Sequence, residues 1–174
     1  MPTITYRDAT PADAPILADL GRRTFVETFG HLYTPENLAA FLLNHAPEKW
    51  AADLADPNLS VRLVEDKGTP AGYAKVGPKT LPYEANGPAA ELSQFYLLKP
   101  WHGSGIAQEL MAWTLAEARR RGAEELFLSV YVDNHRARRF YERYGFQFVG
   151  PYAFMVGTQA DEDHVMRLSL KEPA

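Results

Sequence analysis

The stretch Glu91-Leu92-Ser93-Gln94-Phe95-Tyr96-Leu97, continued by Leu98-Lys99-Pro100-Trp101 and then His102-Gly103-Ser104-Gly105-Ile106-Ala107, decides how this chain is read. Its first part is a strand, within roughly Ala89 to Leu98. Beyond it, apolar Ile106, Leu110, Met111, Leu115 and Ala118 recur at helical spacing as far as Gly122. A strand that runs into alternate glycines and opens a helix can aim several free backbone N–H groups at one cluster of phosphates, and the helix dipole adds its positive end. Gly103, Gly105 and Ala107 let the backbone come close. The Lys-Ser/Thr pair of a P-loop is missing, as is the full dinucleotide-binding glycine spacing, and Gly103-Ser104-Gly105 is too short for a serine-hydrolase elbow. On its own, a G-x-G of this kind reads as a connection chosen for tight packing.

A second stretch changes that reading. Asn134-His135-Arg136-Ala137-Arg138-Arg139-Phe140-Tyr141-Glu142-Arg143-Tyr144-Gly145-Phe146 follows the apolar strand Leu126 to Tyr131 and precedes another. Together, His102-x-x-Gly105-x-Ala107 and this N-x-x-A-x-x-F-Y-x-x-x-G-F run resemble the acetyl-CoA-binding core of the GCN5-related N-acetyltransferase (GNAT) superfamily, over about Glu91 to Val149. The resemblance implies an α/β fold, with a mixed, mostly antiparallel central sheet of about six or seven strands flanked by helices, in one domain over residues 1–174. It also implies acetyl-CoA as cosubstrate, with the diphosphate held mainly by backbone amides along His102, Gly103, Ser104, Gly105, Ile106 and Ala107. His102 stands where the family usually has Gln or Arg.

Acetyl transfer from a thioester to an amine needs a neutral nucleophile, a polarised carbonyl and a proton for the departing thiolate. An alkylammonium with a pKa of about 10.4 is neutral in only about one molecule per thousand at pH 7, so a carboxylate or an ordered water must take its proton. Glu91 is the candidate base, because it matches a position where several family members carry a basic glutamate; read without the family it is a solvated strand-end carboxylate. By the same resemblance, backbone around Phe95, Tyr96 and Leu97 meets the pantetheine arm and the thioester carbonyl. Tyr141 corresponds to the tyrosine that protonates the CoA sulfur in many members, and Asn134 to an asparagine that contacts the CoA arm. Without the family, Tyr141 is a packed amphipathic ring and Asn134 a helix cap.

The segment Thr24 to Leu38, together with Tyr152 to Gly157 and Asp161 to Met166, resembles bacterial spermidine/spermine N-acetyltransferases within the same superfamily. That resemblance implies Glu27, Tyr33 and Glu36 beside the incoming amine, where carboxylates and aromatic faces suit a polycation; read without the family, Phe25, Phe29 and Leu32 are core and Glu27 and Glu36 face water. The expected acceptor is therefore a small-molecule primary amine, a polyamine among them. Protein N-terminal or lysine acetylation is one alternative, and a CoA-binding regulatory module without turnover is another.

Outward from these motifs, Ile4 to Arg7 alternates as a strand, and Thr10 caps a helix over roughly Ala12 to Thr28. Thr34 and Pro35 open a second helix and Pro47 a third. Ser60 to Glu65 and Ala71 to Val76 form an antiparallel hairpin, Gly77 to Pro88 is loop, and the tail from Phe146 to Leu170 supplies two more strands. Eighteen Lys and Arg against 22 Asp and Glu leave a net charge of -4, which does not attract nucleic acid or an anionic membrane. With no cysteine, thiolate metal sites and cysteine nucleophiles are excluded, and His31, His45, His102, His135 and His164 show no metal-ligand spacing. The N-terminus lacks a signal-peptide pattern, so the expected location is cytoplasmic. Exposed sheet edges in such folds often pair, which makes a homodimer a further expectation.

Overall fold

The computed structural model describes residues 3–171. Its elements run β1 (Ile4–Asp8), α1 (Ala14–Phe29), α2 (Pro35–Leu42), α3 (Pro47–Ala55), β2 (Ser60–Asp66), β3 (Thr69–Pro78) and β4 (Ala89–Leu97), then α4 (Ile106–Arg120), β5 (Glu125–Tyr131), α5 (His135–Arg143), β6 (Gln147–Val156) and β7 (Gln159–Ser169). Short polar side chains set the helix starts. Thr34 Oγ1 accepts from the Asn37 amide at 3.2 Å, with Pro35 at the first helical position of α2. Asp13 accepts from the Thr10 amide at 2.8 Å and is gripped by both terminal nitrogens of Arg7 at 2.9 Å. These bonds hold Pro11–Asp13 as a tight 3₁₀ turn, so α1 begins two residues later than the apolar period alone suggests.

The strands form one sheet in the order β1-β2-β3-β4-β5-β7-β6. Every neighbouring pair is antiparallel except β4 with β5, and α4 supplies the long crossover that a parallel pair requires. The expected mixed, mostly antiparallel sheet flanked by helices is thus what the chain forms.

Alternation along the strands builds a core on each face. Leu63 and Tyr73, opposite one another in the β2–β3 register, pack with Leu17 and Leu20 of α1 and Trp50 of α3. Val64, Ala74 and Val76 pack on the other face with Leu110 and Met111 of α4 and Tyr141 of α5. Each fully buried large side chain of this kind stabilises the fold by about 1.5–3 kcal/mol. One irregularity matters for the site. In β4 the register against β3 slips between Leu92 and Gln94, and beyond this bulge the alternation reverses. Leu92, Phe95 and Leu97 therefore share the α4 face, while Tyr96 joins the α1 face. Among the described residues no helix is long and apolar enough to cross a membrane.

Candidate active site

The parallel pair β4–β5 is short. Only Ala89, Ala90 and Glu91 face Glu125, Leu126 and Phe127; beyond them β4 stays paired to β3 as far as Leu97, while β5 stays paired to β7 as far as Tyr131. The two strands part, and a cleft of about 340 Å³ opens between Leu92–Leu97 on one wall and Leu128–Tyr131 on the other. Along the opened edge, alternate residues of β4 turn backbone N–H and C=O groups toward the gap, with no ladder partner on β5. An extended chain bearing amides can enter there as an extra strand would.

One end of the cleft is closed by the glycine loop. Trp101 Nε1 donates to Asp66 Oδ2 at 2.9 Å, and Ser104 Oγ donates to the Trp101 carbonyl at 2.5 Å, so the loop is pinned before α4 begins. Gly103 and Gly105 have φ of +76° and +87°, a left-handed backbone that favours glycine, and a Cβ at either would meet only open space. This geometry leaves the first amides of α4 uncovered toward the cleft. His102 and Arg136 border the same end. Arg136 donates to His102 Nδ1, which assigns the ring proton to Nε2, where it donates to the Leu97 carbonyl at 2.8 Å. Both imidazole nitrogens are engaged within the site wall, and the Arg136 guanidinium borders this end of the cleft.

The middle of the cleft holds Tyr141. Phe95, Phe140 and Phe146 pack around its ring at centroid distances of 5.7–6.3 Å, and only 8% of the residue is exposed. Burial pushes the phenol well above its ordinary value, with the neighbouring Tyr96 adding to the rise, so it stays protonated across the neutral range. The far end is aromatic and acidic. Phe25 and Phe29 of α1, Tyr33 and Tyr131 interlock at 5.3–6.0 Å. Beneath them lie Asp161 and Asp163 of β7. Gln159 Nε2 donates to Asp161 Oδ1 at 2.9 Å, and the Tyr33 hydroxyl donates to Oδ2. Burial pushes the Asp163 carboxyl up to about 6; the Ser129 hydroxyl opposes that rise and the Asp161 charge adds to it.

Most residues singled out from the sequence meet on this cleft. Phe95, Tyr96, Leu97, His102, Gly103, Gly105, Ala107, Asn134 and Tyr141 line it, and so does Tyr33. Asn134 also caps α5, accepting from the Ala137 amide at 3.4 Å. Ser104 and Ile106 lie off the wall, because the serine hydroxyl is spent inside the loop and the isoleucine side chain is buried in the core. Three acidic expectations are corrected. Glu91 turns away from the cleft, and its carboxylate accepts from the amides of Thr80 and Leu81 at 2.8 and 3.0 Å and from the Thr80 hydroxyl. Glu27 accepts from the Lys99 amide at 2.6 Å, and Glu36 is exposed in the first turn of α2. The residues missed by sequence reading are Asp161 and Asp163. Their signal was the alternation Asp161, Asp163, Val165 on one strand, which puts both acids on the parity of a fully buried valine.

Glu91 is then a loop clasp. Replacing it with glutamine is expected to cost about 1–3 kcal/mol of stability through weakened charge-assisted bonds, with little change in kcat. Thermal melts read against turnover check this, and a collapse of kcat without loss of stability would restore Glu91 as the base.

A parted parallel pair, a left-handed glycine loop at a helix start and a buried phenol between them define an acyl-CoA-dependent transferase. The chain belongs to the acetyltransferase (GNAT) family, whose profile matches residues 22–146. It is 34% identical over 155 residues to an uncharacterised N-acetyltransferase of Mycobacterium tuberculosis, covering 88% of this chain and 96% of that one. It is 35% identical over 98 residues to the aminoalkylphosphonate N-acetyltransferase of Salmonella typhimurium, covering 56% of this chain and 63% of that one. Among solved structures, the PaiA N-acetyltransferase of Thermoplasma acidophilum in complex with coenzyme A shares the fold, with a TM-score of 0.75 and 19% identity over 95% of this chain and 98% of that one.

Proposed function

We propose that the chain transfers acetyl from acetyl-CoA directly to the primary amine of a small cationic acceptor, a polyamine being the best fit. The observation that carries this reading is the parting of β4 and β5 into a cleft with the glycine loop at one end and carboxylates at the other. The pantetheine arm would lie along Gln94–Leu97, and the diphosphate on the amides of residues 103–107 with Arg136 beside it. Tyr141 would protonate the leaving sulfur. Asp161 and Asp163 supply the acidic wall first sought at Glu27 and Glu36, and Phe25, Phe29 and Tyr33 supply aromatic faces for an alkylammonium chain.

An acceptor carrying its own phosphonate, as the name of the Salmonella relative specifies, would set like charges against that wall. The test is thiol release from acetyl-CoA with a panel of spermidine, simple monoamines, an aminoalkylphosphonate and a free-N-terminal peptide, with products identified by mass spectrometry. Spermidine is expected to give the highest kcat/KM, with a KM that rises with salt. Preference for the peptide or the phosphonate would overturn the polyamine assignment. CoA binding without thiol release on any amine would make the chain a binding module.

A further inference from the structure

Asp161 and Asp163 form an anionic site with no built-in counterion. Among the described residues neither carboxylate makes an ion pair. Asp161 is held by neutral donors, Tyr33 and Gln159. Asp163 is only 6% exposed, yet it lines the cleft. Burying an anion against aromatic walls is unfavourable unless a cation arrives to share the space or a proton neutralises it. The titratable groups facing Asp163 are Asp161 on its own strand, Tyr131 on β5, Tyr152 across from it on β6, Tyr96 on β4 and Tyr33 between α1 and α2. None of these is a cation. The missing positive charge is one that an acceptor ammonium brings.

We infer that Asp163 is the general base of the transfer, and that Asp161, fixed by Tyr33 and Gln159, is the neighbouring anion that positions the ammonium against it. The inference rests on the acetyl-transfer reading above. Asp163 takes one proton from the ammonium and passes it to bulk water. The freed nitrogen lone pair forms the N–C bond to the acetyl carbon as the C–S bond breaks. Tyr141 gives its proton to the sulfur, and the second proton lost by nitrogen restores the phenol through solvent. The acceptor ends as an acetamide and CoA as a free thiol, with one proton released overall. A carboxyl raised to about 6 suits this duty, because it is ionised at neutral pH yet more basic than a surface aspartate.

The test is the pH dependence of kcat/KM for the amine in the full-length protein, for the parent, Asp163→Asn and Asp161→Asn. The parent should lose activity with an acid limb near pH 6. Asp163→Asn should lower kcat/KM by about 10²- to 10⁴-fold and erase that limb, with acetyl-CoA affinity unchanged by calorimetry. Asp161→Asn should keep the limb and move it to lower pH, because it removes the like charge that raises Asp163. A fluorinated amine already neutral at assay pH should recover much of the Asp163→Asn loss, which a variant damaged only in structure would not permit. If Asp163→Asn turns over normally, or is equally impaired with the neutral amine, the base assignment is overturned while acetyl transfer stands. If the parent releases no thiol with any amine, both fall.

Discussion

Replacing Tyr141 with phenylalanine is expected to lower kcat by about 10²- to 10⁴-fold, the usual range for loss of a positioned proton donor, with stability and CoA affinity nearly unchanged. The ring has three aromatic neighbours that phenylalanine satisfies equally well. Among the described residues its hydroxyl donates to no protein side chain or carbonyl, so removing the oxygen strands no partner. The same burial that raises the phenol also raises the proton affinity of a thiolate formed beside it, because both anions lose solvation. Donor and acceptor therefore move together, and transfer to sulfur as the C–S bond breaks is not made uphill by the dry site. The sign of the shift also fixes the alkaline behaviour. A phenol held well above its ordinary value of about 10 stays protonated, so kcat should show no basic limb from Tyr141 below about pH 10. Steady-state rates from pH 6 to 10 on both proteins check this, and an unchanged kcat in Tyr141→Phe would remove the tyrosine from the chemistry.

What the sequence made legible, and what it hid, divides along a physical line. The glycine-loop end of the cleft depends on backbone conformation over a few consecutive residues, and the glycines at 103 and 105 mark that conformation, although the G-x-G points to a ligand only when read with the run from Asn134 to Phe146. Tyr141 and Asn134 are placed by the one short helix α5, about two turns apart, so their spacing carries them to the cleft together. The carboxylates depend on which face of a strand they occupy and on what lies across from it. Glu91 looked suitable from its place on β4, but its carboxylate is drawn off by the amides of Thr80 and Leu81, eleven and ten residues back across a loop. The bulge after Leu92 adds to the difficulty, because neither glycine nor proline marks it and it reverses the alternation on which a face assignment rests. Asp161 enters the sequence reading only as the start of a stretch that resembles a family, and nothing local says which face of the sheet Asp161 and Asp163 occupy. Only the order β5-β7-β6 makes β7 an interior strand, with one face toward the cleft.

Gly105→Val is expected to weaken CoA binding by about 10- to 150-fold, and Gly122→Val to leave it unchanged. Both glycines have left-handed backbone, φ +87° and +84°, and a Cβ at either meets no neighbour within 4 Å. A β-branched residue is strained in that conformation at both sites, so both variants should lose about 1–3 kcal/mol of stability. The difference lies in what each turn faces. Gly122 follows the last turn of α4, away from the cleft, whereas Gly105 precedes its first turn and lines the cleft. A valine there relaxes the loop away from the φ that uncovers the α4 amides, and its methyl groups would stand where the proposed diphosphate site needs its oxygens to approach. Losing one charge-assisted amide contact costs about 1.5–3 kcal/mol, which is the quoted range of affinity. Calorimetric titration of CoA into both variants, alongside their melting curves, separates the two effects. Equal losses of affinity at 105 and 122 would mean that the loop acts only through overall stability, and unaltered affinity at both would place the diphosphate away from these amides.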